Sequence, residues 1–194
     1  PADKVSAKYG FKPDQQWLDK VRLGSARLAQ GCSASFVSPD GLVMTNHHCA
    51  HSCIAQLSTK TKDFVKDGFL AKDTKSEVKC PELEVNQLID ISDVTKRMNA
   101  ATTGKSGPAY IEAQKAETAK ITKECQDKDG DGVRCEVVTL YKGGKYDLYK
   151  YKRYQDARLV FAPELAIAFF GGDPDNFNFP RYDLDVSFVR VYEN

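Results

Sequence analysis

This 194-residue chain has almost no charge of one sign in excess: 28 basic residues against 27 acidic leave a net charge of +1. That balance gives no support to binding of nucleic acid or of an anionic membrane surface, both of which call for concentrated positive charge. No apolar run approaches the ~20 residues that a bilayer-spanning helix needs. There is no internal repeat and no linker long enough to divide the chain, so its length fits one domain, or one domain with an excursion. No stretch reads as a signal peptide, and a start at Pro1 rather than Met is what a processed segment would show.

Cysteine, by contrast, is plentiful. Six is an even number and high for a cytosolic domain of this size. Such a count predicts disulfides formed in an oxidising compartment, so the protein is expected to be periplasmic or secreted.

The most informative stretch runs from Cys32 to Cys49. Residues 33–38 alternate small, apolar and polar, as a strand does. Pro39-Asp40-Gly41 is turn chemistry, with glycine free to take positive φ. Leu42-Val43-Met44 is an apolar run that would point into a barrel. His48 follows where the strand ends, beside a cysteine able to reach back to Cys32. Upstream, residues 13–22 read as a short helix with Trp17, Leu18 and Val21 on one face, and residues 25–29 as a strand. After His48, the stretch to residue 79 reads as surface loop and small helices. Residues 83–91 return to strand character, and Ser92 or Asp93 could cap a helix to residue 100. Residues 106–126 are the clearest helix. Residues 133–140 and 146–154 read as a hairpin about Gly143-Gly144. Residues 156–161 and 185–192 read as strands, the last with Val186, Phe188 and Arg190 on one face.

The chain resembles the N-terminal part of the bacterial dipeptidyl-peptidase 7 and dipeptidyl-peptidase 11 family of chymotrypsin-like serine exopeptidases. The resemblance is carried by residues 31–49 (Gly-Cys-Ser-Ala-Ser-Phe-Val-Ser-Pro-Asp-Gly-Leu-Val-Met-Thr-Asn-His-His-Cys), by residues 170–181 (Phe-Gly-Gly-Asp-Pro-Asp-Asn-Phe-Asn-Phe-Pro-Arg) and by residues 185–192 (Asp-Val-Ser-Phe-Val-Arg-Val-Tyr). It implies a mainly β fold: a six-stranded, chymotrypsin-like Greek-key barrel, the first barrel of a double-barrel peptidase. Residues 1–194 would be the N-terminal part of the catalytic domain, with a helical excursion at about 92–127. The second barrel and a large helical domain would lie outside them. It also implies a homodimer.

A serine peptidase needs a base, a carboxylate to orient it, a nucleophile and an oxyanion hole. The resemblance assigns His48 as the base and Asp185 as the orienting carboxylate, with Asp183 the competitor two residues earlier. It assigns Asn176, with Phe177 beside it, to the substrate's free α-amino group. An amide oxygen accepts from an ammonium and an aromatic ring fills the wall. In place of the family's His-Thr-Gly run before the catalytic Asp, this chain has Tyr182-Asp183-Leu184. No Gly-Asp-Ser-Gly elbow occurs. Gly104-Lys105-Ser106-Gly107-Pro108 has a superficial likeness, but Ser106 reads as a helix cap and precedes Asp185 in the chain. The expected activity is therefore release of dipeptides from a free N-terminus, this chain supplying His and Asp but not Ser, with no cofactor. The protease-like hairpin pairs Cys32 with Cys49. Cys125 with Cys135 would close a helix-to-strand turn, which leaves Cys53 with Cys80.

Other readings stand beside this one. A barrel without its serine could be a non-catalytic peptide-binding or interaction module. His47-His48-Cys49-Ala50-His51-Ser52-Cys53 is dense in zinc ligands, although structural zinc sites usually add a second distant pair. Asp127, Asp129 and Asp131 with Gly132 match the opening of a calcium loop, but Val138 stands where the closing Glu belongs. Tyrosines interleaved with lysines across residues 141–154 could stack bases. The neutral total charge favours the plainer reading, an amphipathic strand with its lysines in water and its rings packed.

Overall fold

The computed structural model describes residues 2–172 and 182–193. In chain order the elements are α1 (Ala2–Tyr9), α2 (Gln15–Gly24), β1 (Ser25–Leu28), β2 (Ser33–Phe36), β3 (Leu42–Thr45), α3 (His47–Leu57), α4 (Phe64–Asp67), β4 (Phe69–Leu70), β5 (Val78–Lys79) and β6 (Val85–Asp93). They continue with α5 (Thr95–Thr102), α6 (Gly107–Asp129), β7 (Val133–Leu140), β8 (Lys145–Tyr154), β9 (Asp156–Ala162), α7 (Leu165–Ala168) and β10 (Ser187–Tyr192). The fold is mainly antiparallel β with several helices, and divides into two compact units: residues 1–85 with 154–194, and residues 86–153.

The first unit is built on strands in the order β4-β9-β10-β3-β2-β1, with β5 also on β9. That makes seven strands where the sequence implies six. Among the described residues no ladder joins β1 back to β4, so this hydrogen-bonded path is open rather than a closed barrel. The turn after β2 forms as its residues predict. Gly41 sits at φ 73°, and a Cβ there would lie 2.7 Å from the Val191 carbonyl oxygen, which only glycine avoids. In β10 the face buried in the core is Ser187, Val189 and Val191, so Val186, Phe188 and Arg190 do share a face, the less buried one. Leu28, Val43, Ile54, Val85, Leu159 and Val189 form the centre of an apolar core. Each such side chain contributes roughly 1.5–3 kcal/mol by leaving water.

Two disulfides lie in this unit, Cys32–Cys49 and Cys53–Cys80. The second joins α3 to the residue just after β5. Arg190 and Tyr192 on β10 both bond the buried Glu77 carboxylate, at 2.9 and 2.7 Å, so that charge is paired rather than stranded.

The second unit holds α5, α6 and the β7–β8 hairpin, whose register runs from Val133 opposite Lys152 to Leu140 opposite Lys145. The hairpin connection is residues 141–144 and includes the glycine pair the sequence points to: Tyr141 and Lys142 take left-handed backbone at φ 50° and 56° before Gly143 at 98°. Met98, Ile121 and Tyr146 form a small core with Val94, Val137 and Leu148 packed against it. Gln114 donates to the Tyr146 hydroxyl at 3.0 Å, which satisfies the buried phenol. Cys125–Cys135 ties the end of α6 to β7. α6 continues to Asp129, so Asp127 and Asp129 are helical and project in different directions rather than converging as a calcium loop requires. Asp129 pairs instead with Lys150 at 2.7 Å.

Candidate active site

The site begins with a strand pair. β3 and β10 are antiparallel, with Thr45 opposite Ser187. The residues that follow Thr45 and those that precede Ser187 therefore emerge at the same end of the ladder. At that point the chain leaving β3 turns directly into α3. His48 thus lies in the first turn of a helix; the sequence had suggested a strand end there, with surface loop and small helices after it. The helical pattern is visible in retrospect: His47, Ala50, Cys53 and Ile54 are the buried face, spaced three and four apart.

Asp185 precedes β10 and is buried, its side chain 0% exposed, while the His48 side chain is 35% exposed. Asp185 Oδ2 lies 2.6 Å from His48 Nδ1, across 137 positions of sequence. Its Oδ1 accepts the backbone N–H of His48 at 3.0 Å. Helix α3 has no side-chain cap of its own, because its Asn46 points elsewhere. The carboxylate takes over that role, accepting an orphan N–H at the positive end of the helix. Asn46 Nδ2 donates to Asp185 Oδ2 at 3.1 Å and to the Asp185 carbonyl at 3.2 Å. One anion is therefore held by a helix N-terminus, an amide and an imidazole. With Nδ1–H committed to the carboxylate, Nε2 carries the lone pair and is free to accept a proton. Among the described residues, no hydroxyl hydrogen-bonds His48.

Disulfide Cys32–Cys49 braces the residue after His48 against the start of β2. Thr45 Oγ1 donates to the Ser33 carbonyl at 2.9 Å across the same two strands. His47, next to His48 in the helix, is buried and 1% exposed. Burial first, then the nearby His51 imidazole, lowers its pKa from the usual histidine value, so it is held neutral. It also hydrogen-bonds the Pro163 backbone, whose carbonyl is the acceptor available.

The structure brings His48 and Asp185 together. The competitor Asp183 has both carboxylate oxygens buried without a hydrogen-bond partner and does not bond His48. Asn176 and Phe177 lie outside the described residues. The zinc reading loses its thiolates, since Cys49 and Cys53 are each in a disulfide. Cys32, His48 and Cys49 lie close enough together to resemble a ligand set, but the two cysteines are bonded to each other. Sequence reasoning missed Asn46. Its one signal was an amide residue directly before a helical spacing.

An imidazole seated on a buried carboxylate, with its second nitrogen open, beside antiparallel strands, is an arrangement suited to hydrolases that work through a histidine base. The chain belongs to the Peptidase S46 family, which it matches over residues 1–194. It is 38% identical over 163 residues to a dipeptidyl-peptidase 7 of Capnocytophaga gingivalis, an alignment covering 84% of this chain and 22% of that protein. It is 36% identical over 162 residues to an Asp/Glu-specific dipeptidyl-peptidase of Shewanella putrefaciens, covering 83% and 22%. The crystal structure of Porphyromonas endodontalis DPP11 in complex with substrate superposes with a TM-score of 0.80 at 30% identity, covering 90% of this chain and 26% of that one. The chain thus spans about a quarter of the length of these relatives.

Proposed function

We propose that the complete protein is a serine-type dipeptidyl-peptidase that releases dipeptides from peptides with a free N-terminus. The observation that carries this reading is the 2.6 Å contact between His48 Nδ1 and the buried Asp185 carboxylate, with Nε2 left open. His48 takes the proton of an attacking serine and returns it to the departing amine. Asp185 holds the imidazole in the right tautomer and stabilises the imidazolium that forms. The nucleophile, the oxyanion hole and the pocket for the residue before the cut belong to polypeptide beyond these 194 residues, in a second barrel and a helical domain. Asn176 and Phe177 grip the α-ammonium, which fixes the distance from the N-terminus to the scissile bond. The disulfides support a periplasmic or secreted enzyme, and the reading takes it to act as a homodimer.

The experiment uses the complete protein and this chain, each with a peptide of free N-terminus and the same peptide N-acetylated, and with a serine-directed probe. The complete protein is expected to release dipeptides from the free peptide only and to be labelled by the probe. The 194-residue chain is expected to do neither. Equal cleavage of blocked and free peptides removes the amine anchor, and failure of the complete protein to cleave either peptide overturns the peptidase assignment.

A further inference from the structure

A cavity of about 280 Å³ opens beside His48, lined by His47, His48, His51, Leu165, Ala168 and Phe169. Two of its imidazoles take no part in the chemistry proposed above. Nε2 of His47 and Nδ1 of His51 are both buried and have no hydrogen-bond partner. A buried lone pair left unmatched is destabilising until something answers it. Burial lowers the His47 pKa and holds the imidazole neutral, so the ring keeps one nitrogen as an acceptor. Leu165, Ala168 and Phe169 supply no donor side chain to answer it.

The two residues stand four apart in α3, so they share one face of the helix. Histidines at this spacing are a ready pair of ligands for one metal ion. Their ring centres lie 6.1 Å apart with the planes tilted by 46°. Tetrahedral zinc, with Zn–N of about 2.0–2.1 Å, would bring the centres to about 5 Å, which small side-chain rotations achieve. Neutral imidazole and borderline-soft nitrogen favour zinc and its neighbours over calcium or magnesium, which prefer oxygen.

We infer that this cavity is a binding site for a divalent transition-metal ion of the zinc class, held by His47 Nε2 and His51 Nδ1 with water in the remaining positions, and that occupancy inhibits the enzyme. The inhibition follows from proximity. A dication in a cavity that His48 also lines opposes the imidazolium on which proton transfer depends. It also crowds the open edge of the base. The inhibitory half rests on the peptidase reading; the binding half does not.

The test uses the complete, untagged protein with zinc chloride and cobalt chloride, comparing wild type with His51→Gln and His51→Asn. Unchanged melting temperature without metal establishes that the variants are folded. Calorimetry is expected to show one zinc ion bound in the micromolar range, and cobalt to give the visible absorption of a low-coordinate nitrogen site. Both signals should weaken at least tenfold in the His51 variants. Zinc is expected to slow peptide hydrolysis reversibly, with chelator restoring it, and the variants should keep their basal rate while needing at least tenfold more zinc for the same inhibition. No binding, or binding equal in wild type and variants, overturns the site. Binding without inhibition, or inhibition equal in the variants, overturns its coupling to the base. If the protein hydrolyses no peptide even without metal, the peptidase reading fails, and the calorimetric and cobalt titrations still decide the site.

Discussion

The two compact units solve different problems. Residues 86–153 are held mostly by short-range devices, namely a hairpin, two helices and one disulfide closing ten residues of sequence separation, with a small core of Met98, Ile121 and Tyr146 gathering them. Residues 1–85 and 154–194 are held by distant ones. There β10 pairs with β3, Arg190 and Tyr192 meet Glu77, and His48 meets Asp185. The local unit shows how propensity makes elements. The other shows how a register between distant strands assembles a site. A clean separation between them follows: variants in the first unit's site should change turnover with little effect on stability, and variants in the second should do the reverse.

Asp185→Asn in the complete protein is the strongest test. The Asn oxygen can still accept the His48 N–H, so the helix start survives. Its NH2 group, however, would face Nδ1 and impose the wrong tautomer. Turnover is expected to fall about ten-thousand-fold, the scale of the same change in serine-peptidase triads, with a far smaller loss of stability, because the NH2 group would also face the Asn46 amide that now donates to Oδ2. Full activity in this variant would remove Asp185 from the mechanism. Met98→Ala in the other unit should do the opposite. It empties space around a side chain that is 1% exposed and should cost about 2–5 kcal/mol, read from chemical denaturation, with turnover per folded molecule unchanged.

Replacing both Cys125 and Cys135 by Ala should come next, at about 2–3 kcal/mol for so short a loop. Asn46→Ala should follow. It removes one hydrogen bond to a buried carboxylate, worth roughly 1.5–3 kcal/mol when the acceptor is charged. Part of that loss is recovered by the two bonds from His48, so turnover is expected to fall about tenfold, with substrate affinity unaltered. A rise in KM with unchanged kcat would show that Asn46 acts on binding instead of on the carboxylate.

What was legible in the sequence follows the same division. The helix α6 and the β7–β8 hairpin are written in alanine content and alternation, and their boundaries fall within a few residues of those expected. The turn at Gly41 announces itself through residues that few other conformations suit. Helix α3 did not, because its buried face is made of His47, Ala50, Cys53 and Ile54, two of which read as chemistry rather than as packing. The His48–Asp185 pair was reached through motif resemblance. No local rule connects residues 137 positions apart, and only the β3–β10 register explains why they meet. The strand count in the first unit differs because β4 and β5 are two residues each, too short for any alternation to appear, while the strand read at 83–91 is β6, nearly all of which belongs to the other unit.

The smallest effect is expected where the ion pairing looks densest. Arg97 bonds Glu117 and makes two further contacts with Glu124, at 2.6 and 3.0 Å. Those partners push its guanidinium pKa up and hold the Glu124 carboxyl below its usual range. The Arg97 side chain is nevertheless 38% exposed and that of Glu124 50%. At such exposure, water and salt screen the charges, and holding three long side chains in place costs entropy. Arg97→Ala should therefore lower stability by about 1 kcal/mol or less, and the difference should shrink further in high salt. Met98→Ala, in the same unit, should be indifferent to salt because its loss is one of packing. If Arg97→Ala instead proves as costly as Met98→Ala and stays so at high ionic strength, the second unit is held by its charges rather than by its small core, and the contrast between the two units would have to be drawn on different lines.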